Sequence, residues 1–193
     1  MILFKFSLKW SWLIFSIVGI IFFLTFFLLQ NYDRGVGLWN DEGLSQLPMR
    51  LKIPLINVDA GVEKVGLTKE GVMGVPKGPA EVAWYMLGSK PGEFGSAVIA
   101  GHSGYKNNQP AVFDNLYKLK KGDKIYVEDD VGKVITFIVR ESRSYDSNAD
   151  ASSVFNSSDG LAHLNLITCS GYWNEIEKTH SSRLVIFTDK EVE

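Results

Sequence analysis

With one cysteine, three histidines and six prolines in 193 residues, the chain is poor in the groups that staple or metallate small folds. A lone cysteine, Cys169, excludes a disulfide framework. A basic surplus is missing as well. Only Lys5 and Lys9 of the 20 Lys and Arg precede the long apolar run near the N-terminus, so 18 face all 22 Asp and Glu in the remainder. That mildly acidic remainder carries no electrostatic footprint for nucleic acid, which is excluded as a partner. There is no internal repeat and no low-complexity tract. Only one apolar run reaches membrane length, which excludes a polytopic membrane protein. At 46% hydrophobic and 22% charged residues the chain is not a disordered one either.

The apolar run is itself informative. From Trp10 to Tyr32 no side chain ionises except that tyrosine, and Ile20-Ile21-Phe22-Phe23-Leu24 is typical of the stretch. At about 1.5 Å of rise per residue, roughly 20 apolar residues cross the roughly 30 Å hydrocarbon core of a bilayer. Lys5 and Lys9 lie before the run, so the N-terminus is expected in the cytoplasm and the rest of the chain outside. A cleaved signal peptide would have a shorter apolar region and a small-x-small cleavage site, which Leu28-Leu29-Gln30-Asn31-Tyr32 lacks. The expected organisation is a cytoplasmic N-terminus over 1–9, a single transmembrane signal anchor over 10–30, a linker over 31–49 and a folded domain over 50–193. The linker earns its name from three glycines and the absence of any sustained period.

Beyond residue 50 the apolar segments are short and bounded by Gly, Pro, Asn, Asp or Ser. They predict strands over Leu51 to Val58, Ala97 to Ala100, Lys124 to Glu128, Val134 to Val139, Leu164 to Thr168 and Leu184 to Thr188. Glu128-Asp129-Asp130-Val131-Gly132-Lys133 joins two of them as a hairpin. Its three carboxylates could hold Ca²⁺, but an acidic trio in a turn reads more simply as a solvated tip, and no metal or cofactor is expected. Val112, Leu116 and Leu119 recur at helical spacing and predict a helix over Ala111 to Leu119, with another turn of helix near Asp150 or Ser152. Many short strands and one or two short helices predict a mainly β domain, a closed or nearly closed barrel without exposed edges.

Three polar residues sit at the ends of apolar strands. Cys169 follows Leu164-Asn165-Leu166-Ile167-Thr168 and precedes Ser170-Gly171, a place held rigidly from behind and open in front. Alone, it reads equally as a buried structural cysteine. His102 follows Ala97-Val98-Ile99-Ala100-Gly101, and on its own a histidine in a glycine turn is more often a surface residue. Arg183 opens Arg183-Leu184-Val185-Ile186-Phe187 and alone is a solvated edge charge. Together a thiol, an imidazole and a guanidinium at strand ends form a complete set for acyl transfer. Of the other histidines, His163 is six residues from Cys169 on the same strand, about 20 Å away when extended. His180 lies on the link between Cys169 and Arg183, a poor platform for a proton donor.

At these residues the chain resembles the sortase family, extracytoplasmic cysteine transpeptidases of Gram-positive bacteria and relatives. Leu166-Ile167-Thr168-Cys169 matches the family's Cys box, Gly101-His102 its His box and Arg183-Leu184-Val185 its Arg strand. The likeness runs over roughly residues 50 to 190 and takes in Arg50-Leu51-Lys52-Ile53-Pro54 and Lys121-Gly122-Asp123-Lys124-Ile125. It implies an eight-stranded sortase barrel, His102, Cys169 and Arg183 as catalytic triad, and Thr168, Ser170, Gly171 and Trp173 against the substrate. It also implies the partners: secreted proteins bearing a C-terminal LPxTG-like sorting signal, and an amine acceptor on a cell-wall precursor or a pilin. Val82-Ala83-Trp84-Tyr85 and Pro91-Gly92-Glu93-Phe94-Gly95-Ser96 look most like the general-purpose branches, near classes E/F or D. The linker has Trp39 near Asp41 without the proline of the lid motif that pilus-building members carry. Two rivals stand beside this reading. An L,D-transpeptidase places Gly directly before its Cys, where this chain has Thr168. A membrane-tethered module binding peptides through Trp84, Tyr85, Tyr172 and Trp173 would need no chemistry.

Overall fold

The computed structural model describes residues 47–104, 110–176 and 178–192. The expected anchor and all of the linker before Leu47 lie outside the described residues. Among the described residues no helix is long and apolar enough to cross a membrane.

Eight strands follow one another: β1 Pro48–Ile53, β2 Val58–Val65, β3 Val82–Tyr85, β4 Gly95–Gly101, β5 Lys124–Asp129, β6 Val134–Asp146, β7 Ala162–Asn174 and β8 Thr179–Lys190. They close into a barrel in the order β1-β2-β3-β4-β7-β8-β6-β5. Neighbours are antiparallel except β2 with β3 and β4 with β7. The mainly β barrel expected from the short apolar segments is the fold observed, and closure gives every strand two partners.

Local chemistry explains where the observed elements depart from the expected ones. The run Leu51 to Val58, expected as one strand, is two. Pro54 has no N–H for a ladder and opens a 3₁₀ turn over Pro54–Ile56, and Asn57 leaves it in the left-handed region at φ 56°. The helix expected over Ala111 to Leu119 is a single 3₁₀ turn, Leu116–Lys118. Asp114 bends the segment before it, its carboxylate accepting the N–H of Gly104 at 2.6 Å and of Ala111 at 3.0 Å. Ala111, Phe113, Leu116 and Leu119 are buried nonetheless, so the side chains fill the core without a regular backbone. The acidic turn is not wholly a solvated tip. Asp129 is only 4% exposed, and its Oδ1 accepts the N–H of Val131 and of Lys133, which ties the β5–β6 hairpin. The helical turn foreseen near Ser152 is α1, Ser152–Phe155.

The strands alternate between two apolar layers, as pleated strands must. Leu51, Ile53, Ile99, Ile125, Phe137, Leu164, Leu166 and Ile186 pack into the barrel. Val98, Val185 and Phe187 face outward and meet Val154 of α1, with Ile167 packed alongside. Each fully buried Leu, Ile or Phe contributes about 1.5–3 kcal/mol. The outer layer holds α1 against β4, β7 and β8; β7 and β8 carry Cys169 and Arg183, and β4 leads directly into His102.

Candidate active site

Parity puts the three residues on one face. On β4, Ile99 points inward and Val98 outward, so Ala100 continues the outer face and His102 follows it one residue past the strand end. On β7, Leu166 is inside and Ile167 outside, which sends Cys169 out. On β8, Ile186 is inside and Val185 outside, which sends Arg183 out. Register then brings them to one level. Cys169 and Arg183 are directly opposed in the β7–β8 ladder. Ala100 pairs with Ile167 in the parallel β4–β7 ladder, so two residues further along both chains His102 comes level with Cys169.

Two hydrogen bonds rivet the histidine turn to the cysteine strand. Thr168 Oγ1 donates to the Gly101 carbonyl at 2.8 Å, and Ser103 Oγ donates to the Cys169 carbonyl at 2.6 Å. They flank His102 on both sides. Gly101 admits no side chain, because a Cβ there would run into the ring of buried Phe113. The imidazole is held from a third direction. His102 Nε2 lies 2.8 Å from the Pro76 carbonyl, which can only accept, so Nε2 carries a hydrogen and Nδ1 is left for proton exchange.

Arg183 is half-buried rather than a solvated edge charge. Its Nη1 donates to the carbonyls of His180 and Ser182, both at 2.9 Å, and its Nη2 to Thr179 Oγ1 at 2.9 Å. Three of the five guanidinium N–H groups thus grip the β8 side of the hairpin, which leaves two without a hydrogen bond among the described residues. The thiol of Cys169 is free and partly exposed. Among the described residues no group of three or more His, Cys, Asp or Glu is gathered to hold a metal.

The four residues expected against substrate have different surroundings. Thr168 is 4% exposed and its hydroxyl is engaged with Gly101, so its side chain positions the site. Ser170 Oγ is buried without a hydrogen-bond partner. Gly171 is exposed at φ 76°, and a Cβ on it would collide with Ser181 Oγ. Trp173 is 46% exposed, its ring edge-on to His180 with centroids 5.3 Å apart. His180 is not on a loose link: β7 and β8 continue to Asn174 and Thr179, and Trp173 pairs with His180. His163 is buried far down β7, with Nδ1 2.8 Å from Asp189 Oδ1 and Nε2 2.9 Å from Asp159 Oδ2. Sequence reasoning missed Pro76, which no motif marks, and Ser103, whose place between two glycines beside His102 was the only available signal.

A family model described as "Sortase domain" matches residues 51–191. The chain belongs to the sortase family. That places it outside the L,D-transpeptidases weighed above. Solved structures agree with the fold. Sortase C-1 from Actinomyces oris is 25% identical with a TM-score of 0.59, covering 75% of this chain and 73% of its own. Sortase C1 of Streptococcus agalactiae, in complex with MTSET, is 25% identical with a TM-score of 0.57, covering 75% and 68%. Sortase A from Corynebacterium diphtheriae, 21% identical at a TM-score of 0.59 over 77% and 62%, shares the fold. A comparison with curated proteins found no match. Sortases are cysteine transpeptidases, and this sortase chain has a single cysteine, directly opposed to Arg183 in the β7–β8 ladder.

Proposed function

We propose that the protein is a membrane-anchored sortase that cleaves an LPxTG-like sorting signal on secreted proteins and transfers the acyl group to an amine. The observation that carries this reading is the opposition of Cys169 and Arg183 in the ladder, with His102 level on the next strand and on the same face. The Cys169 thiolate attacks the carbonyl carbon of the signal's threonine; a C–S bond forms and the Thr–Gly C–N bond breaks. His102 gives a proton to the departing amine and takes one from the incoming amine, which forms the new amide as the thiolate leaves. The two remaining donors of Arg183 and the backbone N–H groups after Cys169 face the negative charge on the acyl oxygen. The acceptor is an amine of a cell-wall precursor or a pilin lysine, and the domain acts outside the membrane that the apolar run 10–30 spans.

The test is to incubate the chain with a library of signal-like peptides and hydroxylamine and to sequence the products. Cleavage after threonine with hydroxamate formation, lost in Cys169→Ala, is the expected result. Binding of peptides without any cleavage would favour the tethered peptide-binding module instead.

A further inference from the structure

A recess lies on the outer face, toward the starts of β4 and β7 and away from Cys169. The cavity, of about 320 Å³, is lined by the loop before β4 and the segment after α1. Val154 of α1 packs on Val98, and its carbonyl accepts the buried Asn165 Nδ2–H at 2.6 Å. The helix therefore lies between this cavity and Cys169. The volume is at the low end for small-molecule sites, which run from about 300 Å³ upward.

The lining is uncharged. Ser158 presents a hydroxyl that can donate and accept, and Ser89 Oγ and Asn156 Oδ1 can accept. The Ser89 hydroxyl and the Asn156 Nδ2–H are donated to the Phe94 and Ser152 carbonyls, the Ser157 hydroxyl to Asp159, and Ser96 is buried. Phe94 and Phe155 supply two phenyl rings, and the Phe94 ring is 80% exposed at the rim. The walls are built rather than incidental. Ser89 Oγ donates to the Phe94 carbonyl at 3.0 Å, and Gly95 at φ 100° brings the chain so close that a Cβ would sit 2.6 Å from Ser89 Oγ. On the other side Asp159 fastens the loop by accepting from Leu161 N–H, Ser157 Oγ and His163 Nε2.

We propose that this cavity binds an uncharged sugar unit, a hexose or N-acetylhexosamine. Such a ring offers hydroxyls that donate to Ser89 Oγ and Asn156 Oδ1 and exchange hydrogen bonds with Ser158, and a C–H face to an exposed phenyl ring. A charged ligand would find no counter-charge in the lining. A peptide is disfavoured for another reason: β4 and β7 are paired on both sides in the closed barrel, so no edge is open for strand addition. The inference does not rest on the transpeptidase reading.

The test uses the full chain in detergent, titrated with N-acetylglucosamine trisaccharide and with maltotriose, reading backbone amide NMR signals of Gly95 and Gly160. The expected result is saturable shifts with at least one sugar and Kd on the order of 1 mM. Phe94→Ala should weaken binding at least about tenfold and Phe94→Trp should preserve it, since a position this exposed tolerates both without unfolding. Cys169→Ala should bind sugar like the parent, which separates this site from failure of the catalytic reading. Absence of saturable shifts with both sugars, indifference to Phe94→Ala, or tighter binding of a neutral Ser/Asn-containing peptide would overturn the proposal.

Discussion

Arg183 shows how much one side chain can differ from its reading in isolation. As an exposed charge it would contribute about 0 to 1 kcal/mol, and Arg183→Lys would be nearly silent. Its guanidinium instead bonds two carbonyls and a hydroxyl of the hairpin and keeps two donors in reserve. A lysine ammonium has three donors on a flexible stem and cannot reproduce that planar fork. Losing one oxyanion donor costs roughly 10²–10³ in rate. We therefore expect Arg183→Lys to lower kcat/KM at least about a hundredfold with little change in Tm, and Arg183→Ala to lower it further. His180→Ala, which keeps the carbonyl that Arg183 uses, should stay within about tenfold of the parent. Thr168 acts through Gly101. Thr168→Val removes the hydroxyl and leaves a buried carbonyl short of a partner, an expected loss of about 1–3 kcal/mol in urea denaturation that Thr168→Ser should largely restore.

At the scale of elements, the strands that matter most were also the most legible. β4, β7 and β8 each show a run of apolar residues ending in a polar one, because their outer faces are half-covered by α1 and their inner faces by the core. What could not be read was backbone whose shape is set by distant partners. β3 is four residues long and pairs in parallel with β2 across the intervening segment, so nothing local announces it. The spacing of Val112, Leu116 and Leu119 is helical, yet Asp114 reaches back to Gly104 and Ala111 and bends the segment. The placement of His102, Cys169 and Arg183 beside apolar runs was legible, but Cys169 and Arg183 lie within β7 and β8 rather than at their ends, because the ladder continues through polar residues to Asn174 and Thr179. The common level of the three needed the register of two ladders. The α1–β7 connection carries its own prediction. The N–H of Leu161, and after it His163 and Ser157, hold the Asp159 carboxyl from 3.8 down to about 2. A carboxyl held lower in the folded state stabilises fully above about pH 4, and that contribution is lost as pH falls toward about 2. Asp159→Asn should therefore be less stable than the parent at neutral pH and show a shallower loss of Tm between those pH values, followed by circular dichroism.

For the whole molecule, the proposed topology has the apolar run, with lysines before it, in the membrane and the barrel outside the cell. Protease added to intact protoplasts should remove the barrel and leave a short stub; a domain that survives until lysis would reverse the orientation. The central claim is that this sortase forms a thioester at Cys169, and intact-mass spectrometry tests it most directly. The full chain is mixed with an LPxTG-like peptide in the absence of an added amine. The account predicts an adduct equal to the peptide acyl group ending at threonine, located on Cys169 and discharged by hydroxylamine. An adduct that persists in Cys169→Ala, or cleavage by that variant, would contradict it.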